Sequence, residues 1–93
     1  MPDSATDPGR PARDKAVALR YWTGLPAPFL AAKASGRAAA RLVELAREAG
    51  VPIVEDEILA HALFPLDFGD WVPAEYYEIV ARVFAFVKSI EET

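Results

Sequence analysis

The stretch AVALRY, residues 16–21, alternates with the period of a strand. Val17, Leu19 and Tyr21 fall on one side of an extended chain, Ala18 and Arg20 on the other. One face reaches a core while the other stays at the surface. This is the first segment with anything to bury. Before it, Pro2, Pro8, Pro11 and Gly9 are mixed with charges, and residues 1–15 read as a disordered or loosely attached arm. The foldable domain is then 16–93.

Downstream, Trp22-Thr23-Gly24-Leu25-Pro26 has the composition of a turn. Residues 29–32 read as a second strand, antiparallel to the first because the connection is too short for a crossover helix. Pro28 has no N–H to donate, so this strand starts at or just after it. Ser35 reads as the N-cap of a helix over 36–49. The stripe Leu42, Leu45, Ala46, Ala49 faces inward there, and Arg37, Arg41, Glu44, Arg47 and Glu48 face water. Gly50 suits a left-handed C-terminal position and Pro52 prevents continuation. Residues 51–54, short and β-branched, read as a buried third strand reached from the second by a right-handed parallel crossover. Asp56 caps a helix over 56–63 with Leu59 and Leu63 inward. Gly69 is the pivot of a loop, and Pro73 opens a last helix over 73–90, on which Glu78 pairs with Arg82. The expected class is α/β (α+β): a small mixed sheet of three strands (16–21, 29–32, 51–54) packed with helices (36–49, 56–63, 73–90).

The 93 residues suffice for one domain with a small core. There is no cysteine, which removes disulfides, zinc-thiolate sites and thiol nucleophiles. A net charge of -4 argues against a nucleic-acid binder, which needs a basic face to displace counterions from phosphate. The first residues carry no apolar core of a signal peptide. The best apolar run, 79–87, is far short of the roughly 20 residues of a membrane span and is broken by Arg82. A cytoplasmic protein without membrane insertion is the expectation.

Chemistry is sparse. The single histidine, His61, lies mid-helix beside apolar neighbours and reads as a partly exposed structural histidine. Glu55, Asp56 and Glu57 sit at a helix start, where capping and the helix dipole already favour carboxylates. Gly36 and Gly50 belong to no phosphate-cradling loop. The expectation is a protein that is not an enzyme, with no catalytic residues, no cofactor and no metal. The last helix is more informative. Tyr77, Val80, Phe84 and Val87 form one apolar row, Tyr76, Ile79, Val83, Phe86 and Ile90 a second, which leaves a narrow polar band of Glu75, Glu78, Arg82 and Ser89. Either the helix lies across the sheet with both rows buried, or part of the second row joins Trp22, Trp71 or Phe68 in an exposed patch that receives a partner.

The order of segments AVALRY, PAPFLAAKASG, RLVELAREAG, VPIVEDEILAHALF and GDWVPAEYYEIVARVFAFV resembles the cytoplasmic domain of the FlhB/YscU export-gate family. These are the substrate-specificity switch proteins of flagellar and type III secretion systems. The resemblance spans residues 16–87 and implies a small mixed sheet ringed by helices. It is to short, stand-alone FlhB-like proteins, because this chain has no transmembrane half. Members with the switch carry Asn-Pro-Thr-His before the strand, where the asparagine side chain attacks its own carbonyl carbon. Here Pro11-Ala12-Arg13-Asp14 stands in that place, and the chain contains no asparagine, so that self-cleavage cannot occur. Lys33 and Gly36 match the family around the second strand, whereas Phe29, Ala34 and His61 depart from its usual lysine, glycine and arginine.

The resemblance further implies a binding role. In the family an apolar pocket between the PAP segment and the last helix is implicated in recognising export substrates. The matching positions are Ala27, Pro28, Ala81 and Phe84. The implied partners are export substrates or export-apparatus components. The upstream half of a full-length FlhB-type protein is a further one, pairing with the open edge of residues 16–21. The implied place is the cytoplasm, including the periphery of the membrane export gate. The competing reading is a regulatory or structural protein-binding domain that kept the fold and has no secretion role.

Overall fold

The computed structural model describes residues 14–91. Most of the expected arm (residues 1–13), residues 92–93 and the side chains of Ser89, Ile90 and Glu91 lie outside the described set. Strands β1 (Lys15–Arg20) and β2 (Phe29–Ser35) form an antiparallel hairpin running from Lys15 opposite Ser35 to Arg20 opposite Phe29. Helices α1 (Arg37–Glu48), α2 (Glu57–Leu63) and α3 (Tyr77–Glu91) follow, the last entered through a 3-10 turn at Ala74–Tyr76. The mixed α/β class is as expected.

The hairpin register is irregular in a way that matters for the core. Ala18 faces Ala32 but Leu19 faces Leu30, so Ala31 is an extra residue, and it is exposed. A bulge of this kind bends the strand and re-aims the side chains beyond it. Here it turns Leu30 inward, where it is fully buried beside Leu19.

The third strand is a correction. Among the described residues, 51–54 pair with nothing as a strand, and Val51 and Val54 are exposed. The edge of β2 is instead taken by a different segment. Leu30 N donates to Asp70 O at 2.9 Å, Gly69 N to Leu30 O at 2.8 Å and Val72 N to Pro28 O at 2.8 Å, with Phe29 bridging Trp71 antiparallel. That leaves no parallel slot for 51–54 at this end, and Pro52 removes a donor from the would-be strand. Among the described residues the sheet is therefore two strands, extended at one edge by the segment around Trp71.

Helix α1 ends as expected and starts otherwise. Gly50, at φ 77°, closes it: Val51 N reaches Ala46 O and Gly50 N reaches Arg47 O, the paired bonds of a Schellman cap. Its N-cap is Gly36 rather than Ser35, with no side-chain cap. Gly36 instead docks on the start of the hairpin, its N–H donating to Asp14 O at 3.0 Å. The inward stripe is also displaced. Ala39 is buried with Leu42, Val43 and Ala46 partly so, while Leu45 and Ala49 face outward. Asp56 caps α2 as expected, accepting from Leu59 N at 3.0 Å.

The core is centred on Leu63, Val72 and Val80, with Val17, Leu19, Leu59, Leu66, Tyr76 and Phe84 packed around them. On α3 the first apolar row turns inward through Val80, Phe84 and Val87. The second row divides: Tyr76 and Val83 are partly buried, and Ile79 and Phe86 are exposed.

Candidate functional site: an apolar groove between the hairpin end and the last helix

Where β1 gives out, the chain crosses a Pro-rich bend and returns as β2. Leu25 N closes the turn on Trp22 O at 3.2 Å. Pro26 and Pro28 fix φ on either side of Ala27 and keep the bend extended. This holds Ala27, buried, and Pro28, half-buried, against α3. Opposite them, α3 presents Tyr77, Val80, Ala81 and Phe84, which at spacings of three, four and seven share one helical face.

Between the two lies an open groove of about 320 Å³, lined by Tyr21, Pro26, Ala27, Pro28, Tyr77, Val80, Ala81 and Phe84. All four positions named from the sequence, Ala27, Pro28, Ala81 and Phe84, line it. Val80 forms its floor, buried, while Ala81 is exposed on its wall. The Tyr21 and Phe84 rings meet at 6.2 Å between centroids, tilted by 56°, and fix one end.

The lining has no charged side chain, and its polar atoms on side chains are the two tyrosine hydroxyls. Such a surface releases water from apolar area on binding and orients a guest with few hydrogen bonds. It suits an apolar side chain of a partner segment.

Tyr21, Pro26, Tyr77 and Val80 were not singled out from the sequence. Tyr77 and Val80 were legible, because they complete the helical face that carries Ala81 and Phe84. The alternation of residues 16–21 puts Tyr21 on the buried face of the strand, but the strand ends at Arg20 and Tyr21 is left 46% exposed. His61, expected to be structural, is exposed on α2, away from this lining. Among the described residues no group of three or more His, Cys, Asp or Glu comes together as a metal site. No helix among them is long and apolar enough to cross a membrane.

Comparison with known proteins gives a family match, curated relatives and solved structures of the same fold. The model of the FlhB HrpN YscU SpaS family matches residues 12–87. The chain is 38% identical over 80 residues to YlqH of Bacillus subtilis (strain 168), covering 85% of this chain and 86% of YlqH. It is 41% identical over 78 residues to the flagellar biosynthetic protein FlhB of Yersinia enterocolitica, covering 82% of this chain and 20% of that protein. The chain thus spans nearly all of one relative and about a fifth of the other. The PscU C-terminal domain superposes with a TM-score of 0.74 at 28% identity, covering 78% of this chain and 95% of that domain. A mutated EscU/SpaS C-terminal domain gives the same TM-score at 26% identity, covering 77% and 91%. The chain belongs to the FlhB HrpN YscU SpaS family of protein-export components, in the fold of that family's C-terminal domain.

Proposed function

We propose that this chain is an FlhB-like accessory module of a flagellar or type III protein export apparatus. It holds an apolar side chain of an export substrate, or of an export-gate component, in the groove. It does so in the cytoplasm, at or near the export gate, and without self-cleavage or other catalysis. The observation that carries this reading is convergence. Ala27 and Pro28 come from the bend, Ala81 and Phe84 from α3, and all four line one groove. A mainly apolar, uncharged lining favours binding over chemistry, since it carries no charged side chain to activate its two tyrosine hydroxyls. The absence of asparagine from the whole chain removes the side chain that the family's cleavage uses.

The test is site-directed photocrosslinking in the native cell from a reactive phenylalanine analogue at position 84, with the captured proteins identified by mass spectrometry. The expected capture is an export substrate or export-gate component that disappears when Ala81→Glu is added. Capture of no such protein, together with unchanged export after deletion of the gene, would leave the regulatory or structural reading in its place.

A further inference from the structure

A second exposed surface lies outside the groove. Trp22 is 51% and Trp71 49% exposed, yet they are joined by one ring. Trp22 meets Phe29 edge-on at 5.7 Å and 89°, and Phe29 meets Trp71 edge-on at 6.2 Å and 87°. Backbone holds the three segments that carry these rings: Phe29 bridges Trp71 on one side and pairs with Arg20, two residues before Trp22, on the other. The rings therefore form a rigid ladder rather than three scattered hydrophobic residues. Phe68, in the same loop as Trp71, is exposed as well.

The chain itself shows what this ladder attracts. The Arg20 guanidinium lies 5.5 Å from the Trp22 ring centroid, within the range of a cation–π contact. The Trp71 end lies in a stretch of opposite character. Residues 48–78 hold eight carboxylates and neither lysine nor arginine, and Asp67 and Asp70 flank Phe68 and Trp71 in sequence. A ring quadrupole and the field of Asp67 and Asp70, both exposed and next in sequence to Phe68 and Trp71, favour the same guest, a cation. The same field disfavours an anionic membrane surface or a nucleic acid. Among cations, a guanidinium matches best, because its plane stacks on an aromatic face while its edge donates to carboxylates.

We propose that the Trp22–Phe29–Trp71 ladder is a docking surface for an arginine-bearing segment of another polypeptide, with the guanidinium seated at Trp71. This surface is separate from the groove and does not depend on what the groove binds.

The test uses the full, unmodified chain labelled with nitrogen-15, whose two tryptophans give two indole N–H resonances. Trp22→Phe assigns them. The probe is the capped peptide Gly-Ser-Arg-Gly-Ser-Arg-Gly, and its control carries citrulline at both arginine positions, which keeps the shape and removes the charge. At low salt the arginine peptide shifts the Trp71 indole saturably, and the citrulline peptide binds about fivefold more weakly or less. Asp67→Asn weakens the arginine peptide, and Ala81→Glu in the groove leaves it unchanged. Equal binding of the two peptides, or no saturation at millimolar arginine peptide, overturns the proposal. So does loss of the response in Ala81→Glu, which would move the contact to the groove. Indole shifts that depend on protein concentration without peptide would assign the ladder to a second copy of the chain instead.

Discussion

The ammonium of Lys33 lies 2.7 Å from the carbonyl oxygen of Leu66, joining residues 33 positions apart in the chain. It also donates to Phe64 O at 2.9 Å, and it sits 5.1 Å from the centre of the Phe64 ring. These carbonyls lie just past the end of α2, where backbone acceptors outnumber donors and Pro65 supplies no N–H. Lys33 therefore ties β2 to the end of α2 and to the start of the loop that runs on to Trp71. Replacing it with methionine keeps the stem and removes every donor, leaving partly buried carbonyls without their bond. Lys33→Met is expected to lower unfolding free energy by about 2 kcal/mol, read from urea denaturation. Unchanged stability would mean that water serves these carbonyls equally well.

Gly36 is the second place where the chain depends on one atom type. It sits at φ 60°, ψ -133°, a conformation open to glycine and strained for any residue with a Cβ. A Cβ built there meets nothing within 4 Å, so crowding is not the issue. The cost of Gly36→Ala is backbone strain alone, expected at about 1–3 kcal/mol. A drop in thermal midpoint with native circular dichroism at low temperature is the expected signature.

Helix α1 shows where sequence patterning misleads. The row Leu42, Leu45, Ala46, Ala49 and the row Ala39, Leu42, Val43, Ala46 both satisfy a helical stripe, and the heavier side chains favoured the first. The structure uses the second because the helix lies close against the sheet, where Ala39 fits. Leu45 is consequently 45% exposed while Leu63 is fully buried. Leu63→Ala is expected to cost about 3 kcal/mol, and Leu45→Ala less than about 1 kcal/mol, in the same denaturation experiment. Comparable losses would restore the first stripe.

Local chemistry was legible at several positions where one residue type does one job, though not at Ser35, which does not cap α1. Asp56 at the start of α2, Gly50 at the end of α1 and Pro28 before β2 all act as their side chains dictate. The Glu78–Arg82 pair also forms, at 3.1 Å. What was hidden is competition between segments for one edge. Residues 51–54 look more like a strand than residues 70–72 do, because valine and isoleucine outrank Asp-Trp-Val in strand preference. The edge of β2 nevertheless goes to 69–72, held there by three backbone bonds, in the loop whose start Lys33 tethers. No local pattern records that choice. The groove was half legible. Its helical wall follows from spacing, whereas its opposite wall depends on where the strand stops and the bend begins.

The exposed pair Glu78–Arg82 shows how little some visible contacts matter. Both side chains are mostly in water, at 81% and 74% exposure. Screening and side-chain entropy leave such a pair a few tenths of a kcal/mol. Glu78→Gln is expected to change stability by less than about 0.5 kcal/mol at 0.15 M salt, and a larger loss would show that the pair orders the start of α3.

Ala81 and Phe84 separate folding from binding. Phe84 packs both on the core and on Tyr21, so Phe84→Ala removes core area as well as groove wall. It is expected to cost about 2–3 kcal/mol, and a lost partner in that variant would be ambiguous. Ala81 is exposed on the groove wall and belongs to no core cluster. A glutamate there is tolerated by the helix, at less than about 0.5 kcal/mol, and places a carboxylate against an uncharged lining. Ala81→Glu should therefore keep the thermal midpoint of the parent while abolishing partner capture at position 84. Retained capture with a folded Ala81→Glu chain would remove the groove from the binding surface, whatever the partner is.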